Sequence, residues 1–278
     1  MSSPHSPRVR QLGCLVVEGP HDAELCYRLL STSGLKRVQR LSLLEPAFKP
    51  LVPTKFPHGD DLQKRMPVPL FLQSDQWAIA IHSAVGDSKL VNALEETLDF
   101  LPAQNWAGVG LMLDADHDGS PAQRFDAVIQ AMKAKDLGLP LPQQPGQVMA
   151  DAPRVGVYVL PDNQSAGTLE DLLLESAAHQ FPHLLPLARQ YVDAAKAGGQ
   201  LPASHLEDFS KPSGHKKAVV GAIAAVFRPG KAVQVSIQDN DWLRGPALNL
   251  PRIKTVQSFL QQLFEVVTVQ TDGLSTDN

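Results

Sequence analysis

The sequence predicts an α/β protein: a mainly parallel, Rossmann-like sheet flanked by helices, followed by a helical C-terminal extension. Three observations carry this expectation. Short branched apolar runs alternate with stretches of helical periodicity up to about residue 180. Each run ends in a glycine- or aspartate-containing loop just before a helix begins. Beyond residue 181 the alternation stops and only helical patterns remain. Parallel neighbours need crossover connections, so successive strand, loop and helix units imply a parallel sheet covered by helices.

The elements follow in order. Residues 1–11 form a polar, proline-containing tail. QLGCLVVEG reads as a buried strand, because its apolar run is too brief for a helix and ends in Gly19. In PHDAELCYRLLSTSG, Ala23, Leu25, Cys26, Leu29 and Leu30 have helical spacing, with Pro20 at the start and Gly34 after the end. Residues 45–76 hold six prolines and little periodicity, and read as an irregular excursion outside the core. WAIAIHSAVGDSKLVNALEETLDFL restores the pattern with a strand, a loop containing Gly86 and Asp87, and a helix through Leu90, Ala93, Leu94 and Leu98. GVGLMLDADHDGSPAQRFDAVIQAMKAKDLG and VGVYVLPDNQSAGTLEDLLLESAAHQF supply the third and fourth units. One α/β domain is therefore expected over 12–180. Helical segments over 181–270 pack on the sheet or cap it, and 271–278 form a second tail.

Bulk composition narrows the function little. A net charge of -4 and a pI near 6.1 give no global attraction to nucleic acid or to an anionic membrane, so polyanion contact must come from a local patch or from bound cations. No stretch has signal-peptide character or approaches the roughly 20 apolar residues of a membrane span, so a cytoplasmic protein is expected. Cys14 and Cys26 fall in a strand and a helix and are read as small buried thiols. The chain lacks GxGxxG, GxxxxGK[ST] and GxSxG, which argues against a dinucleotide enzyme, a P-loop ATPase and a serine hydrolase.

The informative residues are the acids at the carboxyl ends of the strands, where ligands of such sheets bind: Glu18, Asp87, Asp114, Asp116, Asp118 and Asp162. Clustered carboxylates stay ionised only with solvent, a basic partner or a divalent cation. An extended exit from the third strand would turn Asp114 and Asp116 to one side, with the small Ala115 between them. The competing explanation is helix capping by Asp118 or Ser120 ahead of Pro121, which leaves Asp114 unexplained. An EF-hand loop fails, because Phe125 stands where its bidentate glutamate belongs.

Val16-Val17-Glu18-Gly19 followed by Asp22-Ala23, with Asp114-Ala115-Asp116 after the third strand, resembles the Toprim domain of topoisomerases, bacterial primases, maturase-type ribonucleases and nucleases of the overcoming-lysogenisation-defect family. The resemblance spans roughly 12–175 and takes in LPDNQSAGTLEDLLLE. It implies a Toprim-like fold in which Asp114 and Asp116 hold a magnesium or manganese ion and Glu18 acts as general acid/base or second-site ligand. Asp118, Asp162, Glu170 and Asp171 are the candidates for a second ion. Tyr27, Tyr158 and Tyr191 all fall in core elements, which removes strand passage, and the chain has neither the length nor the cysteines of a primase. Metal-dependent phosphodiester hydrolysis of nucleic acid is the remaining expectation. Its alternatives are a non-catalytic metal- or nucleotide-binding module of a defence or repair complex and a small-molecule phosphatase or phosphotransferase. A homodimer or a partner protein is compatible with each.

Other residues could complete such a site. Between His205 and Lys254 stand eight Lys or Arg against four acids, and Lys216 and Lys217, after the turn at Ser213 and Gly214, are the candidate phosphate or transition-state lysines. The same cluster is equally a solvated helix face. Asp22 either supports Glu18 or is ordinary first-turn charge. His21 and His117 flank the site as candidate proton carriers, whereas Trp77 and Trp106 are read as packing residues.

Overall fold

The computed structural model describes residues 9–54, 68–84, 89–116, 120–197 and 202–268. Its strands are β1 (Gln11–Val17), β2 (Lys36–Arg37), β3 (Leu70–Gln73), β4 (Trp77–Ser83), β5 (Gly108–Asp114), β6 (Val148–Met149) and β7 (Arg154–Leu160). They form one sheet in the order β2-β3-β4-β1-β5-β7-β6. β4, β1, β5 and β7 are mutually parallel, and the short strands beside them are antiparallel. The helices are α1 (Pro20–Ser31), α2 (Leu90–Phe100), α3 (Pro121–Ala134), α4 (Leu169–Gln180), α5 (Leu184–Ala197), α6 (Gly214–Phe227), α7 (Val233–Asp239) and α8 (Pro251–Phe264). The structure is thus mixed α/β, with a mostly parallel central sheet between helical layers.

Strand periodicity splits the core in two. In β1, Leu15 and Val17 join the cluster under α1, α4 and α8, whereas Cys14 and Val16 join the one under α2 and α3. Cys14 and Cys26 are buried free thiols. Among the described residues no helix is long and apolar enough to cross a membrane.

The four strand-to-helix units lie where periodicity placed them, but one region differs from expectation. The described part of 45–76 belongs to the core: the 3₁₀ turn at Pro46–Leu51 buries Phe48 and Leu51, and β3 buries Phe71 and Leu72. Phe48 stacks on Phe71 and Trp106 at centroid distances of 5.7 and 5.8 Å. Single aromatic anchors between prolines have no period to detect. The C-terminal portion packs against the sheet, one of the two placements open to it. α8 lies on the sheet, with Phe264 edge-on to Trp77 at 5.5 Å and Phe259 against Tyr158 at 5.1 Å.

Chain order positions the site. From β1 the chain crosses to β4 on one side, then returns past β1 to β5 and on to β7. The direction of winding reverses at β1, so the loops after β1 and β5 diverge and open a crevice between these neighbours.

Candidate active site at the carboxyl edge of the sheet

Glu18 directly follows β1, and Asp114 is the last residue of β5. The register of the two strands brings them together: the Asp114 amide donates to Glu18 Oε1 at 3.1 Å. Arg124, in the second turn of α3, reaches back into the same crevice. Its Nη2 stands 3.2 Å from Glu18 Oε1 and 3.5 Å from Asp116 Oδ2, and its Nε donates to the Asp114 carbonyl at 3.1 Å. One guanidinium therefore spans three strand-end residues. The extended exit expected past Asp114 stops at Ala115: Asp116 takes a left-handed φ of 59°, and its carbonyl accepts the Gly167 amide at 2.9 Å. Asp114 is consequently drawn inward while the Asp116 side chain is 56 % exposed.

The N-terminus of α4 closes the inner wall. Asp114 Oδ1 accepts the Leu169 amide at 2.9 Å, so it satisfies one of the helix's leading N–H groups from another strand. Asp171 Oδ2 accepts the Thr168 amide at 2.9 Å and its Oδ1 pairs with Lys216 Nζ at 2.6 Å. Buried Glu170 accepts the Thr168 hydroxyl at 2.7 Å. Across from it, buried Asp22 accepts the Gly19 amide at 2.8 Å, closing the first turn of α1.

These acids exceed their local cations, and the electrostatics follow. Burial, then the charges of Asp22, Glu18 and Glu170, push the Asp114 carboxyl well above its ordinary range. Burial and the Glu18 charge raise Asp22 to about 7. Burial lowers His21, against the opposing field of Glu170, and Lys217 and Gln234 also act on its ring. Lys216 and Lys217 from α6 and Gln234 from α7 are thus brought beside the first turns of α1 and α4. The C-terminal helices do contribute to this edge.

Other expected residues stand apart. Asp162 accepts the Gln164 and Ser165 amides at 3.0 and 2.6 Å and pairs with Arg252 of α8 at 2.9 Å. No described interaction joins it to Asp114. Asp87, His117 and Asp118 lie outside the described residues. Among the described residues no set of three or more His, Cys, Asp or Glu side chains surrounds one point in a metal-holding arrangement. The donor chemistry nonetheless suits a hard cation: the gathered groups are carboxylates, and Asp114 Oδ2 has no hydrogen-bond partner among the described residues. Arg124 is the residue that sequence reasoning missed. Its only signal is its place about one turn into the helix after the acidic loop.

Residues 13–265 match the family described as "Protein of unknown function (DUF3226)". The chain belongs to this family. Among solved structures, the hypothetical protein PH0156 from Pyrococcus horikoshii OT3 is similar, with a TM-score of 0.51 and 17 % identity over 91 % of this chain and 95 % of that one. That likeness concerns the fold alone. No curated protein matches the chain. The DUF3226 match runs from β1 through α8, so it takes in both the carboxylate edge and the helix that packs behind it.

Asp22 makes the charge excess of this DUF3226 chain measurable. Folded, it keeps its proton up to about 7; unfolded, it releases it near 3.8. Raising the pH across that window ionises the unfolded chain alone and lowers stability. An asparagine in its place could still accept the Gly19 amide without carrying charge. In a chelator, Asp22→Asn should exceed the parent in stability by a few kcal/mol at pH 8, with the gap closing as the pH falls toward 4. Urea titrations of both proteins across that range check it, and a gap independent of pH would contradict it.

Proposed function

We propose that this chain is a Toprim-like, magnesium- or manganese-dependent hydrolase of phosphodiester bonds in nucleic acid. The observation that carries the reading is the convergence of Glu18 and Asp114, 96 residues apart in sequence, through a 3.1 Å hydrogen bond at the crevice where the winding reverses. Two further features support it. Asp114 is buried among like charges that a cation would relieve, and α6 carries Lys216 and Lys217 to the same edge. Asp114, Asp116 and Glu18 would hold the ion, with Asp118 as the outer candidate; bound there, it would offset charge on phosphate oxygens and favour ionisation of a water.

The chain's own residues do the remaining work. Glu18 is fixed by the Asp114 amide, so its carboxylate is oriented at the crevice to accept or return a proton. Lys216 and Lys217 contact the phosphates flanking the cleaved bond. His21, held neutral by burial, is placed beside Lys217 to carry a proton to solvent.

The full chain, incubated with labelled single- and double-stranded DNA and RNA, should cut at least one of them with magnesium or manganese and none in a chelator. Failure on all four, with the fold intact, rejects the reading. One observation favours a second reading, a non-catalytic cation-binding module: Glu18 and Asp114 already accept backbone amides and Glu18 is paired with Arg124. Manganese binding without turnover of any substrate would select it.

A further inference from the structure

The arrangement around Arg124 bears on how such a site is loaded. Its guanidinium stands between Glu18 Oε1 at 3.2 Å and Asp116 Oδ2 at 3.5 Å, while its Nε grips the Asp114 carbonyl at 3.1 Å. A guanidinium is charged at every accessible pH and presents a rigid fork of donors. Between these two carboxylates it supplies the positive charge that a divalent cation would otherwise bring. The two cannot share the place, because both cations need the same carboxylates and repel each other. The side chain also has a way out. It springs from α3, is 22 % exposed, and pairs at 3.5 Å with Asp116, which is more exposed still.

We propose that Arg124 is the resident cation of this site: a divalent cation binds by displacing its guanidinium from Glu18 and Asp116, and the displaced guanidinium then grips a phosphate of the nucleic-acid substrate. The inference rests on the cation-dependent reading above. It makes Arg124 a substrate-binding residue in the loaded state and a competitor of the metal in the free one. A single side chain then couples the two binding events, because a phosphate that engages Arg124 holds it away from the carboxylates and favours the cation.

Manganese titration of the full chain without nucleic acid, followed calorimetrically, tests the exchange. Arg124→Gln removes the competing charge and should bind manganese about tenfold more tightly than the parent. Arg124→Lys keeps the charge but loses the fork, and should fall between them. Loaded with manganese, Arg124→Gln should bind a cleavage-resistant phosphorothioate single strand several-fold more weakly. Its log-log salt dependence should be shallower by about one. Manganese affinity in folded Arg124→Gln equal to or below that of the parent overturns the proposal while leaving the cation site standing. Should Arg124→Gln fail to fold, Arg124→Lys with parental manganese affinity overturns it as well. If the variant binds manganese and the parent does not, Arg124 is the resident cation and the parent's metal dependence is what fails. If neither binds, the cation reading falls and takes this inference with it.

Discussion

Asp114→Asn is expected to lower cation-dependent cleavage by on the order of 10³-fold while leaving the fold as stable as the parent or more so. The two halves of this result come from one position. Asp114 is buried beside Asp22, Glu18 and Glu170, and its carboxyl is held well above the ordinary range, so ionising it opposes the fold. Asparagine is nearly isosteric and can still accept the Leu169 amide that Asp114 Oδ1 now receives at 2.9 Å. It removes the charge without removing the cap. Asp114→Ala also leaves that leading amide of α4 without its acceptor, at a cost of about 1 kcal/mol, which separates the structural role from the chemical one. Asp116→Asn changes an exposed side chain whose ion-pair distance to Arg124 is 3.5 Å. Its effect on stability should be small and its effect on cleavage large. Cleavage rates and thermal melts of the single and double variants decide the matter: a folded double variant that still cuts at the parental rate rejects the metal-dependent reading.

The legible part of this site depended on order and periodicity. Glu18 and Asp114 each end an apolar run that leads into a helix, and consecutive parallel strands put such ends on one edge, so their convergence follows from the strand pattern. The illegible part depended on reach. Arg124 belongs to the start of an ordinary amphipathic helix, and nothing in its spacing says that its side chain turns back to β5 rather than out to solvent. Glu170 and Asp171 were legible as candidates for a second ion, through the resemblance alone. That one is buried against Thr168 and the other paired with Lys216 depends on where α6 packs, which no local pattern encodes. The side-chain direction expected of Asp116 differed for a related reason, since the alternation that orients side chains holds only while the backbone stays extended, and its φ is positive. The edge strands β2 and β6 are two residues each, too short to carry a period.

A second large effect lies behind the sheet, where glycines set the depth of α8. A Cβ at Gly13 would come within 2.6 Å of Phe264 Cε1, one at Gly110 within 2.5 Å of Leu263 Cδ2, and one at Gly156 within 2.7 Å of Phe259 Cε2. At Gly108 the obstacle is the Leu263 carbonyl oxygen, at 2.6 Å. Three neighbouring strands have thus been cleared of side chains on one face so that the helix can sit directly on their backbones. Phe264, fully buried there, should cost about 3–5 kcal/mol when cut to alanine. None of these four glycines has a positive φ, so alanine would by itself favour folding by about 0.4–1 kcal/mol through the unfolded chain, and only the clash can reverse that sign. The obstacles differ in kind. At Gly13 the offending atoms belong to a ring that can be trimmed, whereas at Gly108 the nearest atom is backbone and remains whatever side chain α8 carries. Phe264→Leu should therefore recover part of the loss in Gly13→Ala, with a coupling of about 1 kcal/mol or more, and should recover less in Gly108→Ala. Urea denaturation of the two double-mutant cycles measures both couplings. Equal couplings, or a Gly13→Ala variant as stable as the parent, would mean that α8 does not lie on these strands as described.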